Sequence, residues 1–182
     1  MIYSLPGGYF VRGLQQKDLQ GPYPSWFEDQ EVCRLNSHGK YVKTKEWFRS
    51  YLRAIDEEHQ VVWAICHSDG AHVGNISLQG ISKINRHAEL AVLIGNRKHW
   101  GNSLGFHAAT VLLSHGFQKL NLERIFCGTA ANNHSMKKLA RRLGMRIEGR
   151  RRRHLFLEGK WVDTLEYGIL RREFTLKNPS RR

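Results

Sequence analysis

The chain has 182 residues, 41% of them apolar and 25% charged, with a formal net charge of +13. That length suits one α/β domain with a single core and is short for two. No apolar run approaches the roughly 20 residues a membrane helix needs, and the basic excess points to anionic partners: nucleic acid, an acidic membrane surface or phosphorylated small molecules.

Met1 to Gly8 has no basic segment and no long apolar stretch, so the reading is a cytoplasmic protein. Tyr9 to Leu14 reads as the first strand. Ser25-Trp26-Phe27-Glu28 has the spacing of a capping box and predicts a helix from about Trp26 to between Asn36 and Gly39. A second helix is expected from Thr44 to Glu58, where Trp47, Phe48, Tyr51, Leu52 and Ile55 recur at helical spacing. Val61–Cys66 and His72–Leu78 form a hairpin around Ser68-Asp69-Gly70. In the next strand, His87 to Gly95, the uninterrupted apolar run Leu90-Ala91-Val92-Leu93-Ile94 implies burial on both faces.

A polar loop, Asn96 to Ser103, leads into a helix from Leu104 to Lys119 with apolar residues on more than one side. A strand at Arg124–Thr129 and a helix at Asn132–Leu143, stopped by Gly144, come next. Strands at Ile147–Leu157 and Trp161–Leu170 join at Glu158-Gly159-Lys160. The order makes a mixed α/β sheet of about seven strands. One domain should fill residues 1–176, followed by a basic tail at 177–182.

Cys33, Cys66 and Cys127 are widely spaced and odd in number, which suits reduced thiols. The histidines lack metal-binding spacing, so no metal is expected. The chemistry-bearing stretch is Trp100-Gly101-Asn102-Ser103-Leu104-Gly105 between a buried strand and a helix. Small residues let the backbone approach an anion, and the helix start offers unpaired N–H groups and a positive dipole end. The stretch is neither a Walker loop nor a dinucleotide fingerprint, and by itself it serves packing as readily as ligand binding.

With two further phrases it resembles the GNAT superfamily of N-acetyltransferases, most closely the branch of ribosomal-protein N-terminal acetyltransferases of the RimJ/RimL type. The phrases are Asn132-Asn133-His134-Ser135 followed by Leu143-Gly144-Met145 and Glu148-Gly149, and Glu158-Gly159-Lys160-Trp161-Val162-Asp163. The resemblance implies a GNAT fold: a mixed, mostly antiparallel sheet flanked by four helices, its two central strands splayed. It implies acetyl-CoA as cosubstrate, with the pantetheine arm beside Leu93, Ile94 and Gly95. The phosphates would lie on the amides of Asn102, Ser103, Leu104, Gly105 and Phe106, with Trp100 and Gly101 also in the cofactor-binding loop. Asn132 would hold the cofactor arm, Ser135 would face the sulfur, and Lys138 and its basic neighbours would meet phosphate. The sequence departs from the family's usual Gln/Arg-x-x-Gly-x-Gly/Ala at two places, Trp100 and Ser103. A serine there takes a positive φ less cheaply than glycine, although its hydroxyl offers a helix cap or a phosphate contact.

Acetyl transfer to an amine needs a base for the ammonium proton and a proton for the leaving thiolate. Glu89, beside the apolar run, matches the catalytic carboxylate of some relatives, with His87 and Asp163 in reserve; its bland alternative is a pair with Arg86 or Arg97. Arg150-Arg151-Arg152-Arg153-His154 is either a solvated edge strand or a reader of phosphate. The acceptor is read as a primary amine, on a nucleotide-linked amino sugar or at a ribosomal protein N-terminus. Polycations are disfavoured by like charge, nucleic acid is an unfavoured partner, and a homodimer is admitted. The rival class is a non-catalytic RNA-binding module of the same fold, opposed by the lack of any single strand that interleaves aromatic and basic residues.

Overall fold

The computed structural model describes residues 1–56 and 58–174; the expected tail at 177–182 lies outside them. β1 (Ile2–Leu5) turns at Pro6-Gly7-Gly8, where both glycines take positive φ, and pairs with β2 (Tyr9–Gly13). β3 (Val61–His67), β4 (His72–Ser82) and β5 (His87–Ile94) continue an antiparallel meander. β6 (Arg124–Ala130) lies parallel to β5. The hairpin of β7 (Arg146–Leu157) and β8 (Lys160–Leu170) inserts β8 against β6, giving the order β1-β2-β3-β4-β5-β6-β8-β7. The sheet is mixed as expected, with eight strands instead of seven; the added strand is the four-residue β1.

The helices are α1 (Gln30–Cys33), α2 (Lys45–Arg53), α3 (Leu104–Gln118) and α4 (His134–Arg142). α3 carries Ala108, Ala109, Leu112 and Leu113 at zero exposure onto Ile76, Leu78, Leu90 and Ile125 of the sheet, which makes this the main core. Each fully buried leucine there stabilises the fold by about 1.5–3 kcal/mol.

The opposite face carries a smaller cluster of Tyr23, Trp26, Phe27, Val32 and Phe48, with Leu93 of β5 packed against it. Here the expected helices are cut short. Ser25 caps nothing; its hydroxyl donates to Pro22 O, and residues 24–27 form a 3₁₀ turn. The true cap is Asp29, whose carboxylate accepts from Glu31 and Val32 N–H and starts a helix of four residues. α2 starts where expected, capped by Thr44, but ends at Arg53 instead of Glu58. Of its apolar stripe only Phe48 is buried, while Trp47 stacks on Tyr51 at the surface.

Under this cluster Arg12 and Asp18 form a buried pair at 2.7 Å, and Asp18 also accepts from Gln15 N–H. Burial works to raise the Asp18 carboxyl, but the bonds from Arg12 and Gln15 outweigh it and hold the group below its ordinary range.

Candidate functional site

β5 and β6 are paired over only three residues: His87 with Arg124, Ala88 with Ile125, and Glu89 with Phe126. Beyond Glu89, β5 keeps β4 on one side, with Leu90 to Ile94 still in register. On the other side the strands part, leaving an open edge of main-chain groups from Leu90 onward. An extended ligand can complete that edge as a strand would.

Two of the three positions expected to meet such a ligand turn out to be partly committed elsewhere. Gly95 N–H donates to Val73 O across β4, and a Cβ at Gly95 would fall 1.8 Å from the Trp26 ring, so this glycine exists to seat the indole. The Ile94 carbonyl accepts from Trp100 Nε1 at 2.8 Å. Trp100 therefore ties the loop back to the end of β5.

The loop beyond is the stretch expected to cradle an anion. Gly101 and Ser103 have φ of 83° and 62°, both left-handed. Ser103 accepts that strain, and its hydroxyl does not cap α3. It receives a hydrogen bond from Arg142 Nη1 at 2.9 Å, and the same guanidinium lies 4.1 Å from the centre of the Phe106 ring. The Leu104 N–H is taken by Asn102 Oδ1, and the Phe106 N–H by Ser103 O. Among the described residues no protein acceptor meets the amides of Asn102, Ser103 or Gly105, which border the positive end of a fifteen-residue helix. Leu104 itself is a core residue.

From the other side Tyr9 pins the loop: its hydroxyl meets His99 Nδ1 at 2.7 Å and receives Asn102 Nδ2 at 3.1 Å. α4 adds an open depression lined by His134, Lys137, Lys138, Arg141 and Arg142. Lys137 is partly spent on the Ala131 carbonyl, at 2.6 Å, whereas Lys138 is exposed. A polyanion with an extended arm fits this set: free strand edge, free amides, cations beyond them.

Glu89 stands where the strands part. Ala88 and Leu90 belong to the α3 core, so alternation puts Glu89 on the opposite face with Leu93 and Phe126. Neither expected partner takes it: Arg86 pairs with Glu123 and Arg97 with Asp29, and no ion pair to Glu89 forms among the described residues. Two strands away Glu166 lies over Gly128, 3.1 Å from the Cβ position there, and pairs with Arg151 at 3.2 Å. Cys127, beneath, is pushed up to about 12 by burial and then by the charges of Glu89 and Glu166, so it is an inert thiol. All three cysteines are free and buried.

Asp163 is occupied. It accepts the Arg153 N–H at 2.7 Å and Arg150 Nε at 2.6 Å, and these hold its carboxyl below the ordinary range, which makes it a poor base. His87 packs edge-on against Phe126 with a buried, unpartnered Nδ1. On α4 the cap is Asn133, which accepts from Met136 N–H. Ser135 is therefore free of the capping role, and it and Asn132 are both exposed.

Sequence reasoning gave Tyr9 and Trp26 no part in holding the cofactor and named Arg142 only among the basic neighbours of Lys138. Arg142 had a weak signal, as one of four cations on one helix; Tyr9 and Trp26 reach the site through contacts more than 60 residues apart in sequence, which no local pattern carries. Among the described residues no helix is long and apolar enough to cross a membrane, and no three His, Cys, Asp or Glu side chains gather as a metal site.

Residues 10–146 match the acetyltransferase (GNAT) domain family. YdaF of Bacillus subtilis, provisionally named a ribosomal N-acetyltransferase, is 30% identical over 129 residues, 71% of this chain and 67% of that protein. The spermidine N(1)-acetyltransferase of Escherichia coli is 23% identical over 149 residues, 82% of this chain and 74% of the other. Among solved structures, RimL, a ribosomal alpha-N-protein acetyltransferase in complex with coenzyme A, superposes with a TM-score of 0.84 at 15% identity, covering 93% of this chain and 98% of its own. The spermidine N-acetyltransferase of Vibrio cholerae, with CoA and spermine, gives 0.83 at 20% identity, covering 91% and 97%.

Proposed function

Because the chain belongs to the GNAT acetyltransferase family and is an acetyl-CoA-dependent N-acetyltransferase, we propose that it acetylates a primary amine on a phosphorylated acceptor, a nucleotide-linked amino sugar, with Glu89 as the base. The observation that carries the base is the placement of Glu89: a carboxylate without an ion-pair partner among the described residues, at the last paired position before β5 and β6 diverge. Glu89 takes a proton from the acceptor ammonium, directly or through one water, and the freed amine attacks the thioester carbonyl. As the tetrahedral adduct collapses and the C–S bond breaks, the Ser135 hydroxyl gives its proton to the departing thiolate and is reprotonated, through solvent, by the surplus proton of the acceptor nitrogen; the proton held by Glu89 then leaves to solvent. The products are the N-acetyl acceptor and free thiol, and transfer is direct. The amides of Asn102, Ser103 and Gly105, with Arg142 and Lys138, hold the phosphates, Leu93 and Ile94 flank the extended arm, and Asn132 orients it.

The acceptor assignment rests on charge. The names of the spermidine enzymes point to a polycation, which a chain of +13 would repel as it approached. A protein N-terminus is the second reading, favoured by the likeness to YdaF.

The test is thiol release from acetyl-CoA with four acceptor sets: nucleotide-linked amino sugars, the same sugars without nucleotide, N-terminal peptides, and spermidine. Turnover should be highest with the first set; a preference for peptide or spermidine overturns the acceptor assignment. With an acceptor in hand, Glu89→Gln should lower the rate by about 10²–10⁴ near neutral pH, and the defect should shrink as pH rises and free amine accumulates. A variant with the wild-type pH–rate profile removes Glu89 from the role.

A further inference from the structure

The β7–β8 hairpin carries a feature to which no role has been given in cofactor binding or proton transfer. Phe156 on the outer strand β7 and Trp161 on β8 are a cross-strand pair with ring centres 5.3 Å apart, and they stand 46% and 55% exposed. Beside them runs the arginine tract, in which the strict alternation expected of a strand fails. The register breaks between Arg151 and Leu155, and Arg153 takes a left-handed φ of 49°. Breaks of this kind re-aim side chains. Here the Arg153 N–H is drawn onto Asp163, and its guanidinium comes within 5.9 Å of the Trp161 ring centre.

The tract divides by charge. Arg150 is neutralised by Asp163 and Arg151 by Glu166, while Arg152 and Arg153 form no ion pair among the described residues. An exposed aromatic pair thus lies beside the guanidinium of Arg153, with Arg152 adjacent to it in the tract. Phe156 also lines an open cleft of about 550 Å³ between the hairpin and the 24–43 segment, together with Leu157, Phe27, Tyr41 and Lys43. A second copy of the chain is a poor occupant: pairing two β7 edges would set one arginine tract against the other. The complementary occupant is planar, aromatic and anionic.

We propose that this hairpin tip binds the nucleoside diphosphate end of the acceptor, its base stacked on Trp161 and Phe156 and its phosphates on Arg152 and Arg153. The inference rests on the acceptor reading above and adds the site that would select the nucleotide.

The test is titration calorimetry with UDP on the full chain, with and without saturating CoA, because the ADP portion of CoA could otherwise admit UDP to the wrong site. Inorganic pyrophosphate serves as the control without a base. UDP should bind the CoA-saturated protein, and salt should weaken it. Trp161→Ala and Arg153→Gln should each weaken UDP by about tenfold, as expected for losing one stacked base contact or one phosphate contact. Pyrophosphate should be weaker throughout and indifferent to Trp161→Ala. Melting curves identify any variant that fails to fold, and the other then decides.

Any of three results overturns the proposal: UDP that does not bind the CoA-saturated protein, UDP binding that both folded variants retain, or pyrophosphate binding as tightly as UDP. Binding of a single-stranded oligonucleotide in the absence of UDP binding also overturns it and makes the surface a nucleic-acid contact. Failure of the acetyltransferase reading would show separately, as absence of any acetyl-CoA binding, and the titration on CoA-free protein would still decide the hairpin.

Discussion

Two glycines of the site can be told apart by adding one methyl group to each. In Gly95→Ala the new Cβ would lie 1.8 Å from Trp26 Cδ2 and 2.3 Å from Cε2 and Cγ. Carbon atoms rest at about 3.5–4.0 Å, so the indole must withdraw by roughly 2 Å. It has nowhere to go: Trp26 is 4% exposed and wedged against Tyr23 and His72, with ring centres 5.6 and 4.9 Å away. The cost should fall between ordinary overpacking and loss of a buried tryptophan, about 3 kcal/mol, which for a domain of this size lowers the melting temperature by about 6–12 °C. In Gly105→Ala the methyl would sit 3.6 Å from Val92 Cγ1 and 3.9 Å from Leu139 Cδ2, which is ordinary contact. Alanine is also the better helix residue, by up to about 1 kcal/mol, so the fold should be unharmed. If phosphate approaches the Gly105 amide, only the ligand will notice the change. The assay is thermal melting of both variants with and without acetyl-CoA, whose saturation at 100 times its dissociation constant adds about 2.7 kcal/mol. Gly95→Ala should melt early, and Gly105→Ala should melt normally but lose much of the ligand-induced shift. A Gly95→Ala protein that melts like wild type refutes the packing argument, and a full ligand shift in Gly105→Ala refutes the close approach.

Arg142→Ala should raise the acetyl-CoA KM about tenfold, the value of one charge-assisted contact, with kcat retained; an unchanged KM would leave Arg142 as a support for Ser103 alone. Ser135→Ala should lower kcat and kcat/KM together, because the hydroxyl serves only the departing thiolate, and melting should not move because Asn133 supplies the cap; full turnover would discard the role. Asp18→Asn should cost about 3 kcal/mol at pH 7 by leaving Arg12 buried without its partner. The folded-state Asp18 pKa is depressed, so wild type holds this stability above the unfolded value near 3.9 and loses it as pH falls through the folded one. The gap between the two proteins in urea unfolding should close in acid, and a gap independent of pH would refute the ion-pair account.

The parts of the fold that could be read in advance were those written in local periodicity. The apolar run of β5, the amphipathic α3 and the Gly159 hairpin stand within a residue or two of their expected bounds. The segment from Trp26 to Asn36 misled because a capping-box spacing says only what an isolated helix would prefer. Trp26 is instead held over Gly95, 69 residues on, and the chain bends into a 3₁₀ turn to deliver it. The four residues of β1 are too few to show alternation. The tight loop before α3 was legible in its small residues, yet the means by which Ser103 stands in place of glycine was not, because the bond that meets its hydroxyl comes from Arg142 on another helix. The arginine tract was read as either a solvated edge strand or a reader of phosphate; the break in its alternation was not legible, because it accompanies a bond from the Arg153 amide to Asp163 on the neighbouring strand.

The three-residue pairing of β5 with β6 has a mechanical consequence. It is a short seam joining two plates, one of β1 to β5 and one of β6, β8 and β7, with α3 laid across as a strap. A pantetheine arm in the gap would lengthen that seam from the inside, so acetyl-CoA would act as a beam as well as a reagent. Hydrogen exchange should then register ligand at Leu90 to Ile94 and also at the Arg124 to Ala130 amides across the gap, stiffening both plates at once, and release of the product would loosen the enzyme before the next acceptor arrives.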